Sequence, residues 1–175
     1  MVEHVILVDS ENRQLGTMEK MEAHQKGLLH RAFSIFIFNS SGEMLVHQRA
    51  EEKYHCGGLW TNAVCSHPRP DETQSHALKR KMIQEMGFVT DVKKVFDFTY
   101  RAELSNGLVE HEYDEVFYGI YDGDLSPNPK EVQDYRYASI LEIREQLKRN
   151  PDLFTPWFSH LFERISKYYS SLVGA

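Results

Sequence analysis

Residues 31–38 read as a strong β-strand, and Ser40, Ser41 and Gly42 turn the chain back into a second strand over residues 43–49. The rest of the chain supplies a sheet for this hairpin. Residues 3–9 read as a first strand, followed by a turn at residues 10–12, and residues 19–25 as a short helix. A helix is predicted over residues 72–86, with Gly87 as its C-terminal cap. Two long strands, residues 92–103 and 108–121, are joined by the turn Ser105-Asn-Gly107, and residues 132–138 form a shorter strand. Helices over residues 140–148 and 156–169 finish the chain. In the last, Trp157, Leu161, Ile165 and Tyr168 fall at helical spacing and make one apolar stripe. Strands interleaved with helices predict a mixed sheet with helices on both faces. No repeat, low-complexity segment or linker divides residues 1–175, so one domain is expected.

The chain's 175 residues suffice for a single substantial core. Its 41% hydrophobic content is that of a globular chain, not a disordered one. A net charge of −6 lacks the basic excess that nucleic acid calls for, so no such partner is expected. A small anionic ligand stays open, because it needs only a local cluster of cations. Cys56 and Cys65 make at most one bridge, so a reducing, cytoplasmic setting is expected, with Cys56 structural or incidental. No basic segment followed by an apolar run opens the chain, so no signal peptide is expected. The longest apolar run, Ile35-Phe-Ile-Phe38, is far too short for a bilayer, so no membrane partner is expected. No apolar interface beyond the core is legible. A monomer is the expected state, with a weak dimer as the alternative.

Behind a flexible Cys56-Gly-Gly58 corner comes Trp60-Thr-Asn-Ala-Val-Cys65-Ser-His67-Pro68, which reads as strand running into loop. Residues i and i+2 of an extended chain share a face. Cys65 and His67 are therefore expected to face one cavity, a candidate acid, base or nucleophile beside a candidate metal ligand; the bland alternative is a buried structural cysteine beside a surface histidine. A second constellation is Glu110-His-Glu112-Tyr. In a strand Glu110 and Glu112 share a face, where two carboxylates repel unless a cation sits between them or one is protonated. The bland alternative is a solvated strand edge. Nine histidines supply the third clue, with His24 and His30 flanking the start of the strong strand. Three histidines and two same-face carboxylates are a plausible donor set for a six-coordinate divalent metal, provided the three segments converge in space.

Together, the Trp60–Pro68 segment, Tyr100-Arg-Ala102, Val109-Glu-His-Glu112 and Thr155-Pro-Trp157 resemble the type 1 isopentenyl-diphosphate isomerases of the Nudix superfamily. The resemblance covers nearly the whole chain. It implies an α+β fold, an α/β/α sandwich with a Nudix-like mixed β-sheet flanked by helices. The usual Nudix box reads Gly-x5-Glu-x7-Arg-Glu-x2-Glu-Glu-x-Gly. The matching window here is Ser66-x5-Glu72-x7-Arg80-Lys81-x2-Gln84-Glu85-x-Gly87. Lys81 and Gln84 stand where hydrolases of the superfamily carry metal-binding carboxylates, which argues against hydrolysis. Ser66 stands where the isomerases commonly have glycine, a change expected to strain the backbone if that position prefers glycine. The His24–His30 gap is about one residue short for the family.

Carried over position by position, the resemblance implies a metal site of His24, His30, His67, Glu110 and Glu112, holding Mn²⁺, Zn²⁺ or Mg²⁺. It implies that Glu85 ligates a Mg²⁺ shared with the substrate diphosphate, and that Lys20, Arg49, Lys53 and Lys81 surround that diphosphate. Cys65 and Glu112 match the two proton-handling residues, Tyr100 a hydroxyl partner of the catalytic carboxylate, and Trp157 an aromatic wall on a helix that could act as a lid. The expected order has Glu112 with Tyr100 as the acid and Cys65 as the base. Competing readings are a Nudix-type diphosphate hydrolase and a metal-stabilised binding module that would need neither Cys65 nor Trp157.

Overall fold

The computed structural model of the chain describes residues 1–174. Its elements run β1 (His4–Val8), β2 (Gln14–Glu19), α1 (Lys20–Lys26), β3 (His30–Phe38), β4 (Met44–Arg49), β5 (Trp60–Thr61), β6 (Val64–Ser66), α2 (Gln74–Lys81), β7 (Val92–Glu103), β8 (Val109–Ile120), β9 (Val132–Ala138), α3 (Ile140–Arg149) and α4 (Pro156–Val173). The nine strands form one mixed sheet organised around β3. Along one edge β3 pairs in parallel with β8, from His30↔Glu112 to Phe38↔Ile120. Its other edge is shared by three strands: β1 at its start, β6 at its middle and β4 at its end. This shared edge explains how three sequence-distant segments reach one place.

Side chains alternate along β3, and both faces are covered. Phe36 and Phe38 pack with Phe158, Leu161 and Phe162 of α4. Ile35 and Ile37 pack on the opposite face with Ala77 and Leu78 of α2. The predicted sandwich is therefore present, and it is the alternation of a fully apolar strand that builds it. The α4 stripe also holds Ile165 and Tyr169 in the core. The helix accordingly walls one face of the core.

Four local features differ from the sequence reading. Residues 14–19 are a strand, β2, paired with β1. The helix predicted to Met86 leaves α-geometry after Lys81 and ends in a π-helical turn, Met82–Met86. Gly87 does close it, at φ 71°, where a Cβ would lie 2.3 Å from the Ser126 carbonyl oxygen. The Trp60 segment is two short strands, β5 on β4 and β6 on β3. Buried Asn62 makes the break, donating to the carbonyls of Ile35 (3.0 Å) and Val64 (2.9 Å). Ser66 lies in β6 opposite Phe33 with no positive φ, so the expected strain there is absent.

Candidate active site

The sheet register assembles the site. Tyr100 on β7 is opposite Glu112 on β8, and Glu112 is opposite His30 on β3. Ser34 on β3 is opposite Cys65 on β6. Period-two alternation then sets Glu110, Glu112 and Asp114 inward and buries all three. His111 and Tyr113 point to the other face, where they meet the Gly27 carbonyl and Asp97.

His24 reaches the same place from α1. Its Nδ1 donates to the Lys20 carbonyl at 2.7 Å, and His30 Nδ1 donates to the Leu28 carbonyl at 2.8 Å. Both rings are fully buried, and both Nε2 atoms are without a hydrogen-bond partner. The short gap between them is spanned by Gly27 at φ 65°, and the two rings sit 4.8 Å apart. His67 Nε2 lies 2.9 Å from Glu112 Oε1, and His30 Nε2 lies 3.5 Å from the same oxygen. Ligand atoms of His24, His30, His67 and Glu112 all fall within 4.8 Å of one another. Glu110 Oε1 is 3.4 Å from His24 Nε2. The unpartnered Nε2 atoms of His24 and His30 and the unpartnered Glu110 Oε1, converging with His67 and Glu112, fit a divalent metal.

Electrostatics set the two carboxyls apart. Burial raises Glu112 well above the usual carboxylate range, and the neighbouring Glu110 adds to it. Burial also opposes ionisation of Glu110, yet the His24 and His55 rings beside it outweigh this and hold it well below that range. One carboxyl thus carries the charge and the other the proton, the alternative to a cation between them. Burial pulls His30 down to about 4 and His67 well below its ordinary value, which leaves neutral rings suited to ligation.

One cavity is lined by the remaining expected residues together: Lys20, Arg49, Lys53, Cys65, Lys81, Glu85, Tyr100 and Trp157, with His67, Glu110 and Glu112. Three of the cations are paired: Lys20 with Glu3, Lys53 with Glu131, and Lys81 with Glu85 at 2.9 Å. Tyr100 points its hydroxyl at Glu112 Oε2 (3.4 Å) and Glu110 Oε2 (3.5 Å). Glu112 therefore presents Oε1 to the histidines and Oε2 to Tyr100. Cys65 donates to Asn62 Oδ1 at 3.0 Å, and burial, with the Asp114 charge, pushes its thiol up to about 12.

Residues 28–158 match the NUDIX domain family. An isopentenyl-diphosphate Delta-isomerase of Pectobacterium atrosepticum is 47% identical over 167 residues, covering 95% of this chain and 93% of that protein. A second, of Burkholderia multivorans, is 45% identical and covers 94% of this chain and 93% of its own length. The chain belongs to the isopentenyl-diphosphate Delta-isomerase family of the Nudix superfamily. In fold the family member resembles a solved Deinococcus radiodurans protein, DR0079, at a TM-score of 0.77 and 14% identity over 93% of this chain and 98% of that one. The MutT protein of Methanosarcina mazei gives 0.65 at 20% identity, over 80% of this chain and 94% of that one.

What remains of the Nudix box in this isomerase-family chain has a structural task. Arg80 holds Glu72 through two nitrogens, at 2.6 and 2.9 Å, and reaches the His67 carbonyl at 3.4 Å. Glu72 also accepts from the Arg69 amide at 2.8 Å. The pair pins the loop that carries His67.

Several site residues were not singled out from the sequence. His55 sits in irregular chain between β4 and β5, its Nε2 against Glu110 Oε1. Tyr54 lies between Lys20 and Lys53, with the two ammonium groups 4.7 and 5.7 Å from its ring centre. Asp114, bonded by Ser34 at 2.7 Å, is pushed up to about 8 by burial. Of these only Asp114 carried a signal, as the next same-face residue after Glu112.

Proposed function

We propose that this chain interconverts isopentenyl diphosphate and dimethylallyl diphosphate in isoprenoid biosynthesis, adding a proton at C4 and removing one from C2 through a tertiary carbocation. The observation that carries this reading is the convergence, on one cavity, of a buried thiol, a carboxyl against a tyrosine hydroxyl, and a rim of cations. The isomerase names of the relatives agree with it.

Lys20, Arg49, Lys53 and Lys81 receive the diphosphate, the three lysines exchanging their present carboxylate partners for phosphate oxygens. Glu85 would hold a Mg²⁺ that could share that load, since Mg²⁺ favours one or two carboxylates plus phosphate oxygens. At the His24, His30, His67, Glu110 and Glu112 centre a divalent ion, Mn²⁺ or Zn²⁺ before Mg²⁺ given three imidazoles, supplies a fixed charge that orients the carboxylates. Glu112 gives its proton from the Oε2 side, next to the Tyr100 hydroxyl. Cys65 takes the proton from C2. Burial keeps it a thiol at rest, so its own proton first passes to solvent in the open cavity, with the Arg49 guanidinium favouring the thiolate; after turnover Cys65 sheds the proton taken from C2 the same way and Glu112 regains one. The Trp157 ring faces the cation and gives it roughly 1–2 kcal/mol in a desolvated pocket. Its helix keeps out the water that would trap it.

Lys81 and Gln84 remove the carboxylates a hydrolase would use, and Lys81 instead pairs with Glu85. We place the chain in the cytoplasm as a monomer, on its two free cysteines and the absence of a helix long and apolar enough to cross a membrane among the described residues. The test is NMR of isopentenyl diphosphate in D₂O with the protein and Mg²⁺. Dimethylallyl diphosphate carrying deuterium is the expected product. Free phosphate would establish hydrolysis instead, and an unchanged spectrum would leave a binding module.

A further inference from the structure

His55 is held the opposite way round from the other deeply buried histidines. His24 and His30 each donate Nδ1–H to a backbone carbonyl, which leaves Nε2 a bare lone pair, the form that binds a metal. His55 Nδ1 instead lies 3.4 Å from Nη2 of Arg49. A guanidinium has hydrogens to give and no acceptor, so Nδ1 accepts and the ring's single proton sits on Nε2. Nε2 lies against Glu110 Oε1, and neither of these two atoms has any other hydrogen-bond partner.

Packing keeps the ring in this orientation. The same Arg49 nitrogen bonds the His55 carbonyl at 3.2 Å, and the guanidinium lies 5.4 Å from the Trp157 ring centre. Tyr54 packs 4.0 Å from the His55 ring and Trp157 meets it edge-on at 5.8 Å. His24, His55 and Glu110 offer atoms within 4.8 Å of one another, a spacing an ion could also fill. The Arg49 contact decides against His55 as a ligand, because it puts the proton on the nitrogen that would have to bind.

We propose that His55 is a positioning residue that donates its Nε2–H to Glu110 and holds that carboxylate aimed at the metal centre. The proposal rests on reading His24, His30, His67, Glu110 and Glu112 as that centre. Arg49, which sets the tautomer, also faces the substrate cavity, so His55 ties the diphosphate end of the cavity to its metal end.

The test titrates Co²⁺ into the full chain after chelator treatment, reading affinity and the visible spectrum, with near-UV circular dichroism to check folding. His55→Ala is expected to weaken Co²⁺ binding about 10–100-fold, the usual cost of losing a partner of a metal-binding carboxylate. His55→Gln keeps an N–H at similar reach and is expected to retain wild-type affinity within about threefold, with an unchanged spectrum. In a Glu110→Gln background, His55→Ala should add little, since the group it holds is gone. If His55→Ala does not fold, His55→Leu, which also lacks the N–H, takes its place. Equal losses in the Ala and Gln variants with an altered spectrum would make His55 a ligand and overturn the proposal. So would wild-type affinity in the Ala variant. A wild-type chain that takes up no Co²⁺ would overturn the metal centre itself, and His55's role with it.

Discussion

Trp157 donates its indole N–H to the Cys65 sulfur at 3.0 Å, joining residues 92 positions apart. The contact follows from how α4 starts. Pro156 occupies its first turn, and the Thr155 hydroxyl donates to the Thr61 hydroxyl at 2.9 Å, which pins the helix start to β5. One side chain thereby serves as cavity wall and as a donor to the thiol, two tasks that substitutions separate.

Trp157→Phe keeps an aromatic face and loses the N–H, a bond worth about 1 kcal/mol. Turnover is expected to fall about fivefold, since each 1.4 kcal/mol is about a factor of ten in rate. Trp157→Ala removes the face as well, and because the residue is 3% exposed it also costs about 3–5 kcal/mol of stability. Its turnover should be almost nil in steady-state assays run below its melting temperature. Equal rates for the two variants would show that the ring stabilises no charge.

The thiol's raised pKa gives a pH prediction with a definite sign. With Cys65 at about 12, ionisation at pH 8 is rarer than in a free cysteine by about three orders of magnitude. In a Cys56→Ala background, iodoacetamide should label Cys65 very slowly at pH 8. The rate should climb about tenfold per pH unit through pH 10, where a free cysteine has levelled off. Levelling below pH 9 would mean that neighbouring donors and cations outweigh burial. Cys65→Ala should abolish isomerisation and leave the melting temperature nearly unchanged, and a retained rate would remove the thiol from the reaction.

The sheet and most of the site were legible because period-two alternation survives in sequence. Strand β9 lies where its pattern placed it, and Glu110 and Glu112 share a buried face as the alternation requires. What escaped had no period to betray it. Strand β2 is half-exposed along its length, so no apolar alternation marks it. The break between β5 and β6 depends on Asn62 bonding a carbonyl 27 residues away, and His55 on Glu110, 55 residues on in the chain. Convergence of α1, β3, β6 and β8 on one metal centre was supplied by resemblance alone, because pairing three strands on one edge of β3 is a tertiary choice.

Tyr100→Phe isolates the hydroxyl that stands 3.4–3.5 Å from both carboxylates. The ring is kept, so stability should change by less than about 1.5 kcal/mol. The rate constant kcat is expected to fall about 100-fold with KM nearly constant, the pattern of a group acting on proton transfer and not on binding. Glu112→Gln should go further, removing turnover and releasing metal measured by elemental analysis. Metal and rate both surviving would refute the carboxylate's two-sided role.

The Glu72–Arg80 pair makes a prediction about acid stability. Hydrogen bonding from Arg80 brings Glu72 down from 4.5 to about 2. A carboxyl depressed by folding stabilises the native state above its unfolded pKa and loses that contribution as pH falls through the folded one. The window is therefore roughly pH 4.5 down to 2. Glu72→Gln should be less stable than wild type at neutral pH by on the order of 1 kcal/mol, reduced by solvent screening of the pair. In urea titrations that difference should shrink steadily between pH 4.5 and 2 and vanish near pH 2. Because Arg80 also reaches the His67 carbonyl, the same variant should hold its metal more weakly at pH 7. A stability difference that did not change with pH would mean the pair acts through packing, and the loop carrying His67 would owe its position to something other than this charge.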